Sequence, residues 1–132
     1  MDYKNLIDKA IEASKNSYSP YSNFAVGACV LTENDKMYSG CNFENSSYGL
    51  TICAERNAVG SAIADGARRI KAIAIYSPNL ELCHPCGACR QVLYEFKPTN
   101  CDMDVVLKRG EKLVVIKLEK LLPGGFNLYC LS

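Results

Sequence analysis

Leu6, Ile7, Ala10 and Ile11 recur at helical spacing over residues 2–15, with Ser14 on the same stripe and Lys4, Asp8, Lys9, Glu12 and Lys15 mostly off it. One apolar stripe of this kind predicts a helix packed on a core. A polar loop punctuated by Pro20 follows over 16–22. The period then changes to two over 24–32. Val26, Ala28, Val30 and Thr32 alternate with Ala25, Gly27, Cys29 and Leu31, and both sets are largely apolar. That is the pattern of a strand covered on both faces. A turn over 33–36 returns the chain as a second strand over 37–42, closing an antiparallel hairpin. A loop rich in Asn, Glu, Ser and Tyr fills 43–52, and a helix is expected over 53–66. Residues 70–76 read as a strand, with Ile70, Ala72, Ala74 and Tyr76 on one face and Lys71, Ile73 and Ile75 on the other. A loop over 77–85 leads to a helix over 86–96. Strands over 103–108 and 113–117 flank a turn, and a short helical turn over 118–122 precedes the tail 126–132.

Strands joined through helices predict parallel neighbours with right-handed crossovers, and the opening hairpin adds an antiparallel edge. The expected fold is α/β, a three-layer α-β-α sandwich with a five-stranded mixed sheet. One domain spans residues 1–132, without repeats or linkers.

Composition narrows the function. At 132 residues, 48% of them hydrophobic and 22% charged, the chain can bury a core without disulfide staples. A net charge of +1 argues against a phosphate-backbone binder, which usually carries a strong basic bias. No apolar run approaches a membrane span. Eight cysteines could form a secreted disulfide framework. The opening Met1-Asp2-Tyr3-Lys4-Asn5 lacks an apolar leader, however, so a cytoplasmic, reduced compartment is expected. There, clustered cysteines more often mean metal or catalysis.

Two short stretches carry the chemistry: Cys53-Ala54-Glu55-Arg56 and Pro85-Cys86-Gly87-Ala88-Cys89. A Cys-x-x-Cys pair alone fits a redox motif, half a zinc finger or coincidence. Together the stretches supply three thiolates and a carboxylate two residues after the first. Zinc favours four tetrahedral ligands, and a catalytic site keeps one position for water. Residues two apart do not share a helix face, so Cys53 and Glu55 make sense together at a helix N-terminus. Pro85 marks a second helix start before Cys86. Helix N-termini stabilise thiolates through their free N–H groups and partial positive charge. Cys83-His84-Pro85-Cys86 offers an alternative Cys-x-x-Cys register with His84 as a nitrogen donor. Cys29, Cys41, Cys101 and Cys130 read as small buried hydrophobes.

The arrangement resembles the zinc-dependent cytidine deaminases in their small, homotetrameric form. The resemblance runs nearly end to end. It covers Ser19-Pro20-Tyr21-Ser22-Asn23-Phe24-Ala25-Val26-Gly27-Ala28, Asn42-Phe43-Glu44-Asn45, Ser47-Tyr48-Gly49, the two cysteine stretches extended through Arg90-Gln91-Val92, and Leu121-Leu122-Pro123. It implies one zinc per chain on Cys53, Cys86 and Cys89, selecting the register directly after the proline. It implies Glu55 as proton carrier. Arg56 would hydrogen-bond the sulfurs and withdraw charge from them. Asn42 and Glu44 would grip the ribose hydroxyls, since a carboxylate accepts two protons and an amide both donates and accepts. Phe24 would lie against the nucleoside, and the Ala54 carbonyl and the Cys86–Gly87 stretch would orient the amine edge. Ser46, where the family usually has Ala, and Tyr48 belong to a loop reaching a neighbouring subunit. Phe126 would cover the pyrimidine from another subunit.

The reaction so implied is deamination of cytidine and 2′-deoxycytidine in pyrimidine salvage, with no nucleic-acid or membrane partner. Three competitors remain: a same-fold enzyme acting on a nucleotide, an antibiotic nucleoside or a polynucleotide; a zinc module that binds nucleic acid; and a structural zinc or redox protein. Asn42 and Glu44 favour a free ribose. Glu55 argues against a closed structural site, which needs no carboxylate there.

Overall fold

The computed structural model describes residues 2–128. In chain order it contains α1 (Lys4–Ser14), β1 (Gly27–Thr32), β2 (Met37–Cys41), a 3-10 turn (Tyr48–Leu50), α2 (Ala54–Ala64), β3 (Ile70–Tyr76), α3 (Gly87–Glu95), β4 (Asp104–Arg109), β5 (Lys112–Lys117) and the single turn α4 (Leu118–Leu121). The five strands form one mixed sheet in the order β2-β1-β3-β4-β5.

Among the described strands only β3 and β4, joined through α3, are parallel neighbours. β2 and β3 are also joined through a helix, but β1 lies between them and pairs antiparallel with both. The hairpin inserts its first strand into the sheet and leaves β2 at the edge. The expectation of parallel neighbours therefore holds for one crossover of two.

Helices cover both faces. Leu6, Ile7 and Ala10 of α1 pack on Cys29, Leu31, Ala72, Ala74 and Val106. On the opposite face Ala58, Val59 and Ala62 of α2 and Leu93 and Tyr94 of α3 pack on Ala28, Val30, Ile73, Ile75 and Val105. Burying a side chain such as Leu6 or Ile7 contributes about 1.5–3 kcal/mol. Every residue of β1 is buried, as its two apolar faces predicted. Ile70 sits with Ile73 and Ile75, not with Ala72 and Ala74. The register between β1 and β3 slips there, with Leu31 opposite Ala72 and Thr32 opposite Ile70. The extra residue, Lys71, is a bulge that turns Ile70 to the other face.

β1 begins at Gly27, later than the alternation predicted. Asn23 takes the left-handed φ of 59°. Beyond it, side-chain amides satisfy three backbone groups. Asn42 Nδ2 donates to the Phe24 carbonyl, the Val26 amide donates to Asn42 Oδ1, and the Ala25 amide donates to Asn79 Oδ1. α2 approaches β2 closely at Gly40, where a Cβ would stand 2.6 Å from the Ala58 amide nitrogen. Only a glycine lets the helix sit that near.

Cys29 is buried as expected, Cys41 is half-buried, and Cys101 is exposed, correcting its reading as a core residue. It lies in the loop before β4, where the chain has already left the core. Cys130 and the end of the tail lie outside the described residues. No described helix is long and apolar enough to cross a membrane.

Candidate active site

Two helix N-termini meet over the α2–α3 face of the sheet. Cys53 caps α2 and Cys86 caps α3, each with extended backbone, and Cys89 follows in the first turn of α3. Their three sulfurs lie within 4.8 Å of one another. Cys53 and Cys86 Sγ are 3.9 Å apart. Two sulfurs at about 2.3 Å from one zinc, at the tetrahedral angle, stand about 3.8 Å apart. The donor set therefore fits zinc in spacing and chemistry. Cys83 and His84 are not in this cluster. Burial pushes the Cys83 thiol up to about 11, with the Glu55 charge adding to it.

Arg56 Nη2 donates to Cys53 Sγ at 3.3 Å. The Cys89 thiol and, after it, the Arg56 guanidinium hold Cys53 well below the usual thiol range against the opposing effect of burial. Glu55, in the first turn of α2, is 5% exposed. Burial pushes its carboxyl up to about 7, and the charge of Cys53 adds to this. Its own backbone N–H, Cys89 and Arg56 pull the other way.

A cavity of about 180 Å³ joins Phe24, Asn42, Cys53, Ala54, Glu55 and Cys86, with Val26, Thr51, Cys83 and His84 completing the wall. Asn42 is 8% exposed. Its Oδ1 accepts from Ser17 Oγ at 2.5 Å and from the Val26 amide at 3.0 Å, and its Nδ2 donates to the Phe24 carbonyl at 2.8 Å. One amide hydrogen is left for a ligand.

Glu44 and Tyr48 line a neighbouring cavity of about 240 Å³ with Tyr21, Ser22 and Thr51. Thr51 is common to both. Glu44 Oε1 accepts from the Tyr21 and Ser22 amides, and its Oε2 accepts from the Ser22 hydroxyl. The Ser22 hydroxyl above all, and those two amides, hold the carboxyl below its ordinary value. A carboxylate offers about four lone-pair directions, so one remains open. Ser46 Oγ lies 2.8 Å from the Tyr21 hydroxyl.

Phe126 lines neither cavity. It stands on the tail, 64% exposed, and Tyr48 is 73% exposed. Residue types and spacing singled out neither Thr51 nor the partners Ser17, Ser22 and Asn79. The polar run over 16–22 signals a loop, but not that it folds back onto Asn42 and Glu44.

Residues 1–104 match the family model described as the cytidine and deoxycytidylate deaminase zinc-binding region. A cytidine deaminase of Sporosarcina psychrophila is 44% identical, covering 100% of this chain and 96% of its own. The 1.6 Å crystal structure of cytidine deaminase from Burkholderia pseudomallei is 44% identical, with a TM-score of 0.86 over 96% of this chain and all of that one. A blasticidin-S deaminase of Bacillus cereus is 30% identical over 74% of each chain.

Proposed function

The chain belongs to the cytidine and deoxycytidylate deaminase family, and from that membership we infer that it converts cytidine and 2′-deoxycytidine to uridine and 2′-deoxyuridine, releasing ammonia. The observation that carries the reading is one cavity holding zinc-spaced thiols, a buried carboxylate and an amide with one free N–H. When bound, zinc supplies a Lewis acid that lowers the pKa of a water towards neutrality.

Cys53, Cys86 and Cys89 would hold the metal, and Arg56 would withdraw charge from the sulfurs. Glu55 would take the proton that water gives up and place it on ring N3, making C4 electrophilic. Attack of the deprotonated water oxygen on C4 would move the C4–N3 π electrons onto N3. Glu55 would then take the proton of the new C4 hydroxyl and pass it to N4, so that the C4–N4 bond breaks, ammonia leaves and the C4 carbonyl forms. Burial of Glu55 keeps bulk water from competing for that proton. Phe24 and the Ala54 carbonyl would orient the base, and the free N–H of Asn42 and open lone pair of Glu44 would take the sugar hydroxyls.

The chain would work as a homotetramer in the cytoplasm, in pyrimidine salvage. Exposure of Tyr48, Leu50 and Phe126 in the single chain supports an assembly that covers them. Absorbance loss on cytidine, 2′-deoxycytidine, cytosine, cytidine monophosphate and blasticidin S tests the reading, with zinc per chain measured alongside. Turnover of the two nucleosides with one zinc per chain is expected. Turnover of blasticidin S alone, or a preparation that binds no zinc, would overturn it.

A further inference from the structure

Among the described residues, Arg90, Tyr94 and Gln91 of α3 hold the C-terminal segment. Arg90 donates through Nη1 to the Leu121 carbonyl at 2.8 Å and through Nε to the Pro85 carbonyl, directly before Cys86, at 2.7 Å. Gly125 lies so near Tyr94 that an added Cβ would stand 2.6 Å from the ring. Gln91 takes both backbone groups of Phe126. The Phe126 amide donates to Oε1 at 3.1 Å, and Nε2 donates to the Phe126 carbonyl at 2.8 Å.

Such a two-point clasp fixes main chain as a neighbouring strand would. It fixes it without burying the side chain, since Phe126 stays 64% exposed. A clasp that ordered the tail only for stability would be expected to deliver the ring to the core. Gln91 also stands two residues after Cys89, on the helix that carries two of the three sulfurs. We propose that Gln91 is a positioning residue that sets the reach of the Phe126 ring, so that one helix places two of the three metal ligands and also an aromatic cover. The proposal rests on the reading of Phe126 as a cover over the pyrimidine in a neighbouring subunit. It goes beyond that reading by assigning what aims the ring. Its effect should fall on KM, because the ring touches the bound nucleoside and Gln91 does not.

Gln91→Met keeps the side chain's length and removes both hydrogen bonds. Gln91→Glu keeps the acceptor for the Phe126 amide and sets a carboxylate against the Phe126 carbonyl. Gln91→Met should lose amide-exchange protection over residues 124–128 at unchanged zinc content, and raise KM for cytidine several-fold at unchanged kcat. Phe126→Ala should raise KM likewise, and the double variant should be no worse than Phe126→Ala alone. A KM raised by Phe126→Ala but not by Gln91→Met would overturn the clasp and leave the reading of Phe126 standing. An unchanged KM in Phe126→Ala would overturn both. Additive effects in the double variant would show that Gln91 acts by another route and also overturn the proposal. Should Gln91→Met fail to fold, Gln91→Glu carries the same comparison.

Discussion

The two cavities share Thr51, yet they are built differently. The one beside the sulfurs takes its chemistry from the starts of α2 and α3, whose far ends are anchored in the core by Ala58, Ala62 and Leu93. The one beside Glu44 is made of loops. It is held by side chains reaching backbone amides, as Glu44 does to Tyr21 and Ser22, and it is flanked by the exposed Tyr48. The sulfurs and the buried carboxylate thus stand on helix starts, while Glu44, the proposed sugar contact, stands on segments that are cheaper to vary. This division is how one fold can keep a reaction and change its substrate.

The largest expected effects lie in the first cavity. Cys89→Ala removes a buried sulfur from the cluster and should abolish zinc retention. Turnover should fall more than about 100-fold, since a metal's charge stabilisation amounts to several kcal/mol. Zinc added back should restore a chelated wild-type protein but not this variant, as metal analysis beside each assay would check. In the second cavity the effect should be smaller and fall on binding. Glu44→Ala loses a hydrogen bond to a charged acceptor, about 1.5–3 kcal/mol, so KM for cytidine should rise roughly 10- to 150-fold. Ser22→Ala is the control that loosens the loop and keeps the carboxylate. Free cytosine should not feel the loss of Glu44, and an equal effect on base and nucleoside would contradict the ribose contact.

A hybrid tests whether the proposed cover is lent between chains while the chemistry is held within one. Glu55→Gln chains mixed with Phe126→Ala chains should recover a low KM at the Phe126→Ala sites, because each variant supplies what the other lacks. Activity equal to the average of the parents would place Phe126 over its own chain's site instead.

The smallest effect lies far from both cavities. Tyr3 and Lys117 both donate to Asp104 at 2.5 Å, tying the start of α1 to β4 and β5. Burial alone would raise the Asp104 carboxyl, but these partners outweigh it and hold it below the usual range. A depressed carboxyl contributes stability that is full above the unfolded value, about 3.9, and fades as pH falls through the folded one. The Tm advantage of the wild type over Asp104→Asn should therefore be constant above about pH 5 and shrink below it. An advantage that grew on acidification would refute the assignment.

What could be read from the sequence follows distance along the chain. Cys53 with Glu55, and Cys86 with Cys89, are local patterns whose meaning depends only on a helix beginning there, and both helices begin where the spacing required. The sheet's strands were legible for the same reason, through alternation. Ile70 was misplaced because a bulge is decided by the partner strand. The use of three of Asn42's hydrogen-bonding positions was invisible, since Ser17 is 25 residues away and lies in a loop without periodicity. The clasp of Gln91 on Phe126 spans 35 residues and leaves no compositional trace.

Glu55→Gln, assayed for cytidine turnover with zinc per chain determined on the same preparation, tests the assignment of the chemistry most directly. The amide keeps the shape of a residue buried beside the sulfurs and cannot carry the proton. The fold and the zinc should be retained while kcat falls by roughly 10²–10⁴-fold or more. A variant that retained zinc and turned over cytidine at near-native rates would contradict the account.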